Sequence, residues 1–302
     1  MTDERPVPLI SVVIPNFNYG RYVRQAVDSV LNQTYPAVEV IVVDDGSTDD
    51  SIAALESYGG RIKLLRQKNG GVHTARNAGI KASAGVFVAF LDADDVWKPA
   101  KLERQAELFA DPRVGLVHCG ITYVDIKEKW LSTATNGLRG SVLKDLVLRN
   151  IGVVGPGSTA LVRRECFERV GMFDGGLAPS EDYEFCVRVA CHYEFEFVPE
   201  PLVLYRQHPV SASRNLAKFE QSSVAVLCRI FSNPAAAEVF PYKRQAFGVT
   251  YRILSGVFYQ DGRRAKAIWY GLRALAAWPP SVTYFMRKLL ARKAATEENV
   301  SS

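Results

Sequence analysis

Five short apolar runs alternate with segments of helical period over the first 120 residues, and this alternation constrains the fold more than any single motif. The runs are "LISVVIP", "VEVIVVDD", "RIKLLRQ", "VFVAFLD" and "VGLVHCG". Between them lie "RYVRQAVDSVLNQ", a short segment starting near Ser51, "GVHTARNAGIKAS" and "PAKLERQAELFA". Tyr22, Val23, Ala26, Val30 and Leu31 recur at helical spacing in the first of these. Strands that alternate with helices predict parallel βαβ units in a sheet covered on both faces. Ser47, Thr48 and Asp49 are cap candidates for the second helix, and Pro99 falls in the first turn of the fourth.

Beyond about residue 120 the pattern loosens. "GVVGPGSTALVRREC" reads as a glycine-rich loop, a strand and a short helix. "APSEDYEFCVRVACHY" reads as a loop entering a helix, with Phe185, Val189 and either Tyr183 or Val187 facing inward. "FEFVPEPLVLYRQH" predicts two short strands. After about 215 the chain reads as helical, with turns at "SNPAA" and "QDGRR", and it is expected to fray from Arg292 onward.

Composition narrows the class. The chain has 302 residues, 48% of them apolar, which suffices for a sizeable core and excludes global disorder. The net charge of +5 is compatible with an anionic ligand or a membrane surface and proves neither. Five cysteines without a CxxC pair predict buried, reduced thiols. "MTDERPVPLI" lacks the basic and apolar segments of a signal peptide, and Arg273 and Pro279–Pro280 interrupt the longest apolar stretch. The expectation is a cytoplasmic protein without a membrane span, located at most at the inner membrane face.

Polar clusters end three of the strands: "PNFN", "DDGSTDD" and "DADD". Ligands of such sheets bind beyond the carboxyl ends of the strands. Each cluster has two readings. Asp92, Asp94 and Asp95 form either a solvated turn or a site for a divalent cation, whose hard character suits carboxylate oxygen. "DDGSTDD" either caps a helix or offers Asp45 to a nucleobase edge or a ribose hydroxyl. Phe17 is either core or a stacking face. Arg76, on a helix after Gly70–Gly71, suits phosphate oxygens, and His73 is assigned a local hydrogen-bonding role. Glu181 and Asp182 either cap a helix or supply a general base. Arg206 and His208 form either a surface loop or a phosphate contact and a metal ligand. The missing G-x-G-x-x-G after the first strand argues against a nicotinamide-dependent oxidoreductase, and the basic residues are not arranged for nucleic acid.

The order "PNFN", "DDGSTD", "ARN", "FLDADD", "SED", "YRQH" resembles the inverting family 2 glycosyltransferases over about residues 8–213. That resemblance implies an α/β fold of GT-A type: a Rossmann-like nucleotide-sugar-binding domain with a mixed central sheet, followed by a C-terminal helical region. It implies a catalytic domain over 1–213, with the nucleotide part at about 8–120 and the acceptor part at about 121–213, and a helical extension over 214–302. Pro15, Phe17, Asn18 and Asp45 would bind the nucleoside, with Phe17 stacking on the base. Asp92 would reach the ribose or a metal-bound water. Asp94 would hold Mn²⁺ or Mg²⁺, completed by His208. Arg76 and Arg206 would contact the diphosphate, and Asp182 would be the catalytic base. Asp95 is left to cap the next helix. Donors would be UDP-sugars first, with GDP or dTDP sugars next. The acceptor would be a lipid-linked saccharide or a surface-polysaccharide precursor. The absence of Q-x-x-R-W favours single transfers over polymerisation. A catalytically inactive nucleotide-sugar-binding protein is the alternative, against which Asp182 argues. Basic residues from Arg263 to Lys293, interleaved with Trp269, Tyr270, Trp278, Tyr284 and Phe285, suit an anionic lipid surface, a helical cap packed on the catalytic domain or a dimer contact.

Overall fold

A computed structural model describes residues 6–150, 157–208 and 215–282. The described residues divide into two compact units. One holds those up to Leu143 and from 157 to Asn215; the other holds Lys144–Asn150 and those from Leu216 onward.

The first unit is built on a nine-stranded sheet. Its parallel half comprises β1 (Ile10–Asn16), β2 (Val38–Asp44), β3 (Lys63–Arg66) and β4 (Phe87–Phe90), in the order β3-β2-β1-β4. Every residue of β1 and β4 is buried, because helices cover both faces. Ile10, Val12 and Ile14 join the cluster that takes in Val23, Ala26, Val27 and Val30 of α1 (Gly20–Leu31). On the opposite face Val13 meets α3 (Val72–Ala82) at Gly79, where a Cβ would come within 2.2 Å of the valine side chain. Glycine there lets α3 lie against the strand.

Beyond β4 the sheet turns mixed. β8 (Leu161–Arg163) pairs antiparallel with both β4 and β6 (Val114–Val124). β6 in turn runs parallel to β9 (Glu194–Arg206) and antiparallel to β7 (Trp130–Ala134). The two strands expected from "FEFVPEPLVLYRQH" are this single strand β9. Pro199 and Pro201 suggest a break, since proline removes a ladder donor. The strand absorbs them through register shifts on either side of Gly120, where a Cβ would meet the Glu200 carbonyl oxygen at 2.8 Å. A two-residue strand, β5 (Val96–Trp97), pairs with β9 and has no signature of its own in the sequence.

The remaining helices of this unit are short. They are α2 (Ser51–Glu56), α4 (Lys101–Ala106, extended by a 3₁₀ turn to Ala110), α6 (Arg164–Val170) and α7 (Glu181–Ala190), with α5 (Leu143–Val147) at the unit boundary. Pro99 precedes α4 rather than occupying its first turn. On α7 it is Val187, not Tyr183, that joins Phe185 and Val189 inside. The glycine-rich positions 152–156 lie outside the described residues.

The second unit is helical: α8 (Leu216–Ile230), a 3₁₀ stretch over Pro234–Tyr242, α9 (Lys243–Gln260) and α10 (Arg264–Ala277). Its core joins Tyr251, Leu254 and Phe258 of α9 to Ala267, Tyr270 and Ala274 of α10, and the Phe258 and Tyr270 rings stack at 5.7 Å. Tyr270 is therefore a core residue. Tyr284, Phe285, Arg287, Lys288, Arg292 and Lys293 lie outside the described residues. No described helix is long and apolar enough to cross a membrane.

Candidate active site

The carboxyl ends of β1 and β2 are tied together by their own polar residues. Asn16 Nδ2 donates to Asp44 Oδ1 at 2.9 Å and to Ser47 Oγ at 3.1 Å, and the Ser47 amide donates to Asp44 Oδ2 at 3.0 Å. Asn18, with φ of 58°, donates its amide to Ser47 Oγ and accepts from the Thr48 amide through Oδ1 at 2.8 Å. Ser47 and Thr48 thus brace the β1 loop instead of capping α2. Asp49 does bind the start of α2, through Oδ1 from the Ser51 amide, and its Oδ2 also accepts from the Gly20 amide that opens α1. Within this frame Pro15 is buried in β1, while Phe17 projects with 44% exposure, so it is no core residue.

Asp45 is 3% exposed and already occupied. It accepts from Gln67 Nε2 at 2.7 Å and from the Gly70 and Gly71 amides at 2.9 and 2.8 Å. With three acceptor positions filled, about one of a carboxylate's four remains. Gly46, at φ 81°, makes the turn that brings it there.

The acidic corner after β4 separates its three aspartates. Asp92 accepts from Arg76 Nη2 at 2.8 Å. Burial works against the Arg76 cation, yet Asp92 and then Asp182 hold its pKa above the ordinary value. Arg76 is 5% exposed and its Nε has no partner, so one donor remains uncommitted. Asp95 turns inward and is 1% exposed. It accepts from Ser158 Oγ at 2.5 Å and from the Arg206 amide at 2.9 Å, and burial, with Asp92 and Asp94 adding to it, pushes its pKa well up. It therefore does not cap α4, whose N-cap is Ala100. Ser158 also receives the Asp92 amide at 3.1 Å, so one hydroxyl spans the corner.

Asp94 faces His208. The imidazole Nε2 is buried 3.0 Å from Asp94 Oδ2, at ion-pair distance though poorly aligned for a hydrogen bond. Burial and then Asp92 raise the pKa of Asp94, against the pull of His208. Tyr19, which sequence reasoning passed over, hydrogen-bonds Asp94, and its phenol is pushed up to about 12 by burial, then by Asp94 and Asp92. Tyr19 and Tyr22 pack edge-on against the His208 ring at 6.0 and 5.6 Å.

The Asp94–His208 pair fits a divalent cation of Mn²⁺ or Mg²⁺ type. Two adjacent ligands of an octahedron with bonds of about 2.1 Å stand about 3.0 Å apart. A buried imidazole nitrogen at that separation from a carboxylate oxygen, poorly aligned for a direct hydrogen bond, suits such an ion. No group of three or more His, Cys, Asp or Glu that could hold a metal occurs among the described residues, so other ligands would come from donor oxygens or water.

Asp182 stands in the first turn of α7, where the helix terminus and the Tyr183 amide at 2.7 Å favour its anion. Burial outweighs these and raises its pKa, opposed first by Arg76. Glu181 beside it is 4% exposed, with Oε2 unpaired and its pKa raised by burial and then by Asp182. Arg76 is thus the shared cation of Asp92, Asp182 and Glu181.

Arg206 is committed elsewhere. Its Nε donates to the Asp94 carbonyl at 2.9 Å, and its Nη2 to Gln25 Oε1 and Glu128 Oε1 at 3.1 and 3.2 Å, over the Tyr22 ring. These bonds fix the corner's backbone rather than present a guanidinium to a diphosphate.

Comparison with known proteins supplies the class. Residues 11–171 match the model of "Glycosyl transferase family 2". The uncharacterized glycosyltransferase RP339 of Rickettsia prowazekii is 35% identical over 205 residues, 67% of this chain and 64% of that protein. The uncharacterized glycosyltransferase alr2836 of Nostoc sp. is 42% identical over 174 residues, 55% of this chain and 54% of that one. These matches span less than two thirds of the relatives' own length. Among solved structures, S. aureus TarS 1-349 in complex with UDP-GlcNAc superposes with a TM-score of 0.63 at 17% identity, over 90% of this chain and 92% of that one. The mannosyltransferase PcManGT from Pyrobaculum calidifontis, in complex with GDP-Man and Mn²⁺, gives 0.61 at 21% identity, over 96% and 80%. At such identities the likeness carries the fold alone.

Proposed function

Because this chain belongs to glycosyl transferase family 2, with the GT-A fold, we propose that it transfers a sugar from a nucleoside-diphosphate sugar to an acceptor hydroxyl, inverting the anomeric centre, one sugar per encounter. The observation that carries this reading is the convergence of Asp92, Asp94, His208, Arg76 and Asp182 at one edge of the sheet.

Phe17 stacks on the nucleobase from its exposed position after β1. Pro15, Asn18 and Asp45 shape the same pocket, with Asp45 offering its remaining acceptor position. Asp92, held by Arg76, reaches the ribose. The unpaired Nε of Arg76 gives the diphosphate a donor. Asp94 and His208 would hold a divalent cation, which when bound would neutralise charge on the leaving diphosphate. Asp182 removes the acceptor hydroxyl proton, and the oxygen attacks the anomeric carbon opposite the breaking bond to diphosphate. A carboxylate whose pKa is raised is a better base for this step than an ordinary one. Arg206 positions the Asp94 backbone.

UDP-sugars are the favoured donors, in keeping with the TarS complex, and GDP-sugars follow from the PcManGT complex. The acceptor class is a lipid-linked saccharide or a surface-polysaccharide precursor. Calorimetric titration with UDP, GDP and dTDP, each with and without Mn²⁺, tests the donor site. Metal-dependent binding of one nucleotide is expected. A folded protein that binds none of them, with or without metal, overturns the reading.

A further inference from the structure

Helix α10 presents apolar side chains on its outer half as well as on its buried half, unlike an ordinary surface helix. Its buried half presents Ala267, Tyr270 and Ala274 to α9. Its outer half carries Ile268, Trp269 and Leu272 at 64, 49 and 63% exposure. A helix of a water-soluble unit places polar residues on that side. At roughly 100° per residue these three side chains fall within one half-cylinder, and Arg264 and Arg273 lie on its two borders.

The charge around this stripe is one-sided. Residues 216–282 contain nine Lys and Arg against three Asp and Glu, a net charge of +6, whereas the whole chain carries +5. Two of the acids are spent on neighbours: Asp261 pairs with Arg263 at 2.7 Å, and Glu220 with Lys266 at 2.7 Å. Arg264 makes no ion pair among the described residues. Arg273 is held over the Trp269 ring at 4.6 Å and donates to the Tyr251 hydroxyl at 2.7 Å, which sets a cation beside the exposed indole.

We propose that the outer face of α10 docks on an anionic lipid surface, with Ile268, Trp269 and Leu272 entering the headgroup–acyl boundary and Arg264 and Arg273 meeting lipid phosphates. The apolar stripe supplies the burial, the borders supply cations at headgroup depth, and tryptophan favours that interface. Charge complementarity selects the occupant. A second copy would bring a like-charged face against this one, whereas anionic lipid attracts it. The proposal does not depend on the transfer reaction.

The test is co-sedimentation of the full chain with vesicles of phosphatidylcholine alone and of phosphatidylcholine with about 30 mol% phosphatidylglycerol. Partition into the anionic vesicles only is expected, weakening as salt is raised. Ile268→Glu and Leu272→Glu should each lower the partition coefficient by about 10-fold or more, with unchanged thermal unfolding because both side chains are exposed. Arg264→Glu should weaken binding to anionic vesicles in the same direction. Absence of partition, equal partition into neutral vesicles, or undiminished partition of both glutamate variants overturns the proposal. So does a fall in molar mass on light scattering in Leu272→Glu, which would mean that a second copy covers the face.

Discussion

Asp92, Asp94 and Asp95 lie within four residues yet occupy three electrostatic surroundings. Asp92 has a buried guanidinium, Asp94 an imidazole at ligand separation, and Asp95 a hydroxyl and an amide in the interior. Crowded carboxylates repel one another, and the partners are what divide their roles. Asp94→Ala and His208→Ala should each abolish the gain in nucleotide affinity that Mn²⁺ gives, and leave metal-free binding as it was. Equal titrations of the wild type and both variants in Mn²⁺ would remove the pair as the metal site. Asp182→Asn should keep nucleotide binding and lose transfer by at least about 10²-fold, the scale of general-base catalysis. The pH profile gives a second reading of the same residue. A base works only when deprotonated, and burial raises the Asp182 pKa above its ordinary 3.8. Activity is therefore lost as pH falls through the raised value, and kcat/KM against pH should show an acid limb above that of a free aspartate. A flat profile across that range would argue for another base. The acids at strand ends were legible in the sequence because three carboxylates after an apolar run demand an explanation. Tyr19 was not, since nothing in "NFNYG" distinguishes a tyrosine that reaches Asp94 from one that faces water.

Elements, rather than single residues, decide where the corner sits. β8 enters the sheet between β4 and β6, and its approach carries Ser158 to Asp92 and Asp95. The Trp97 indole fixes the same segment by donating to the Ser158 carbonyl at 2.7 Å. Ser158→Ala leaves the Asp95 carboxyl without its side-chain donor in the interior, and should cost about 1–3 kcal/mol, read by urea unfolding. A change below about 0.5 kcal/mol would mean that the hydroxyl does not hold the corner. Helix α4 carries a second buried polar group. Lys101 is 0% exposed, with its ammonium 3.9 Å from the Trp97 ring centroid and bonded to Gln105 Oε1 at 2.6 Å, and burial lowers its pKa to about 8. Between that value and the ordinary 10.5 the unfolded chain holds the proton and the folded one releases it. Stability from this group therefore rises with pH across that window, by up to about 3 kcal/mol. Lys101→Met should remove the rise, which the difference between the two stability–pH curves measures; parallel curves would refute it. Strands β1, β2 and β4 could be read because buried strands show as apolar runs; β3, whose ends are exposed, showed instead as a short apolar pair between helical segments. β9 could not, because its prolines imitate a break that only the pairing with Gly120 absorbs. β5 is too short to have a period.

The folded chain as a whole should register donor binding in its melting behaviour. A ligand that binds the native state alone at 100 times its dissociation constant adds about 2.7 kcal/mol. For a unit of roughly 200 residues each kcal/mol raises the midpoint by about 2–4 °C, so a shift of about 5–10 °C is expected. The described residues form two compact units, and such a chain need not melt in one step. Stabilisation belongs to the transition in which the sheet is lost, because Asp94, His208, Arg76 and Asp182 all stand at that sheet's edge. Scanning calorimetry with UDP, GDP or dTDP plus Mn²⁺ should therefore move that transition, which loss of β-sheet circular dichroism identifies. Asp182→Asn should show the full shift, since a base acts on the acceptor and not on the nucleotide. Asp94→Ala should show only the shift that the nucleotide gives without metal. The pair of variants separates two failures. If neither the wild type nor Asp182→Asn moves with any nucleotide, the donor site itself is wrong. If both move and Asp94→Ala moves equally, the nucleotide binds but the metal does not sit at Asp94. Only a shift that survives at 182 and collapses at 94 assigns base and metal to different residues of one site.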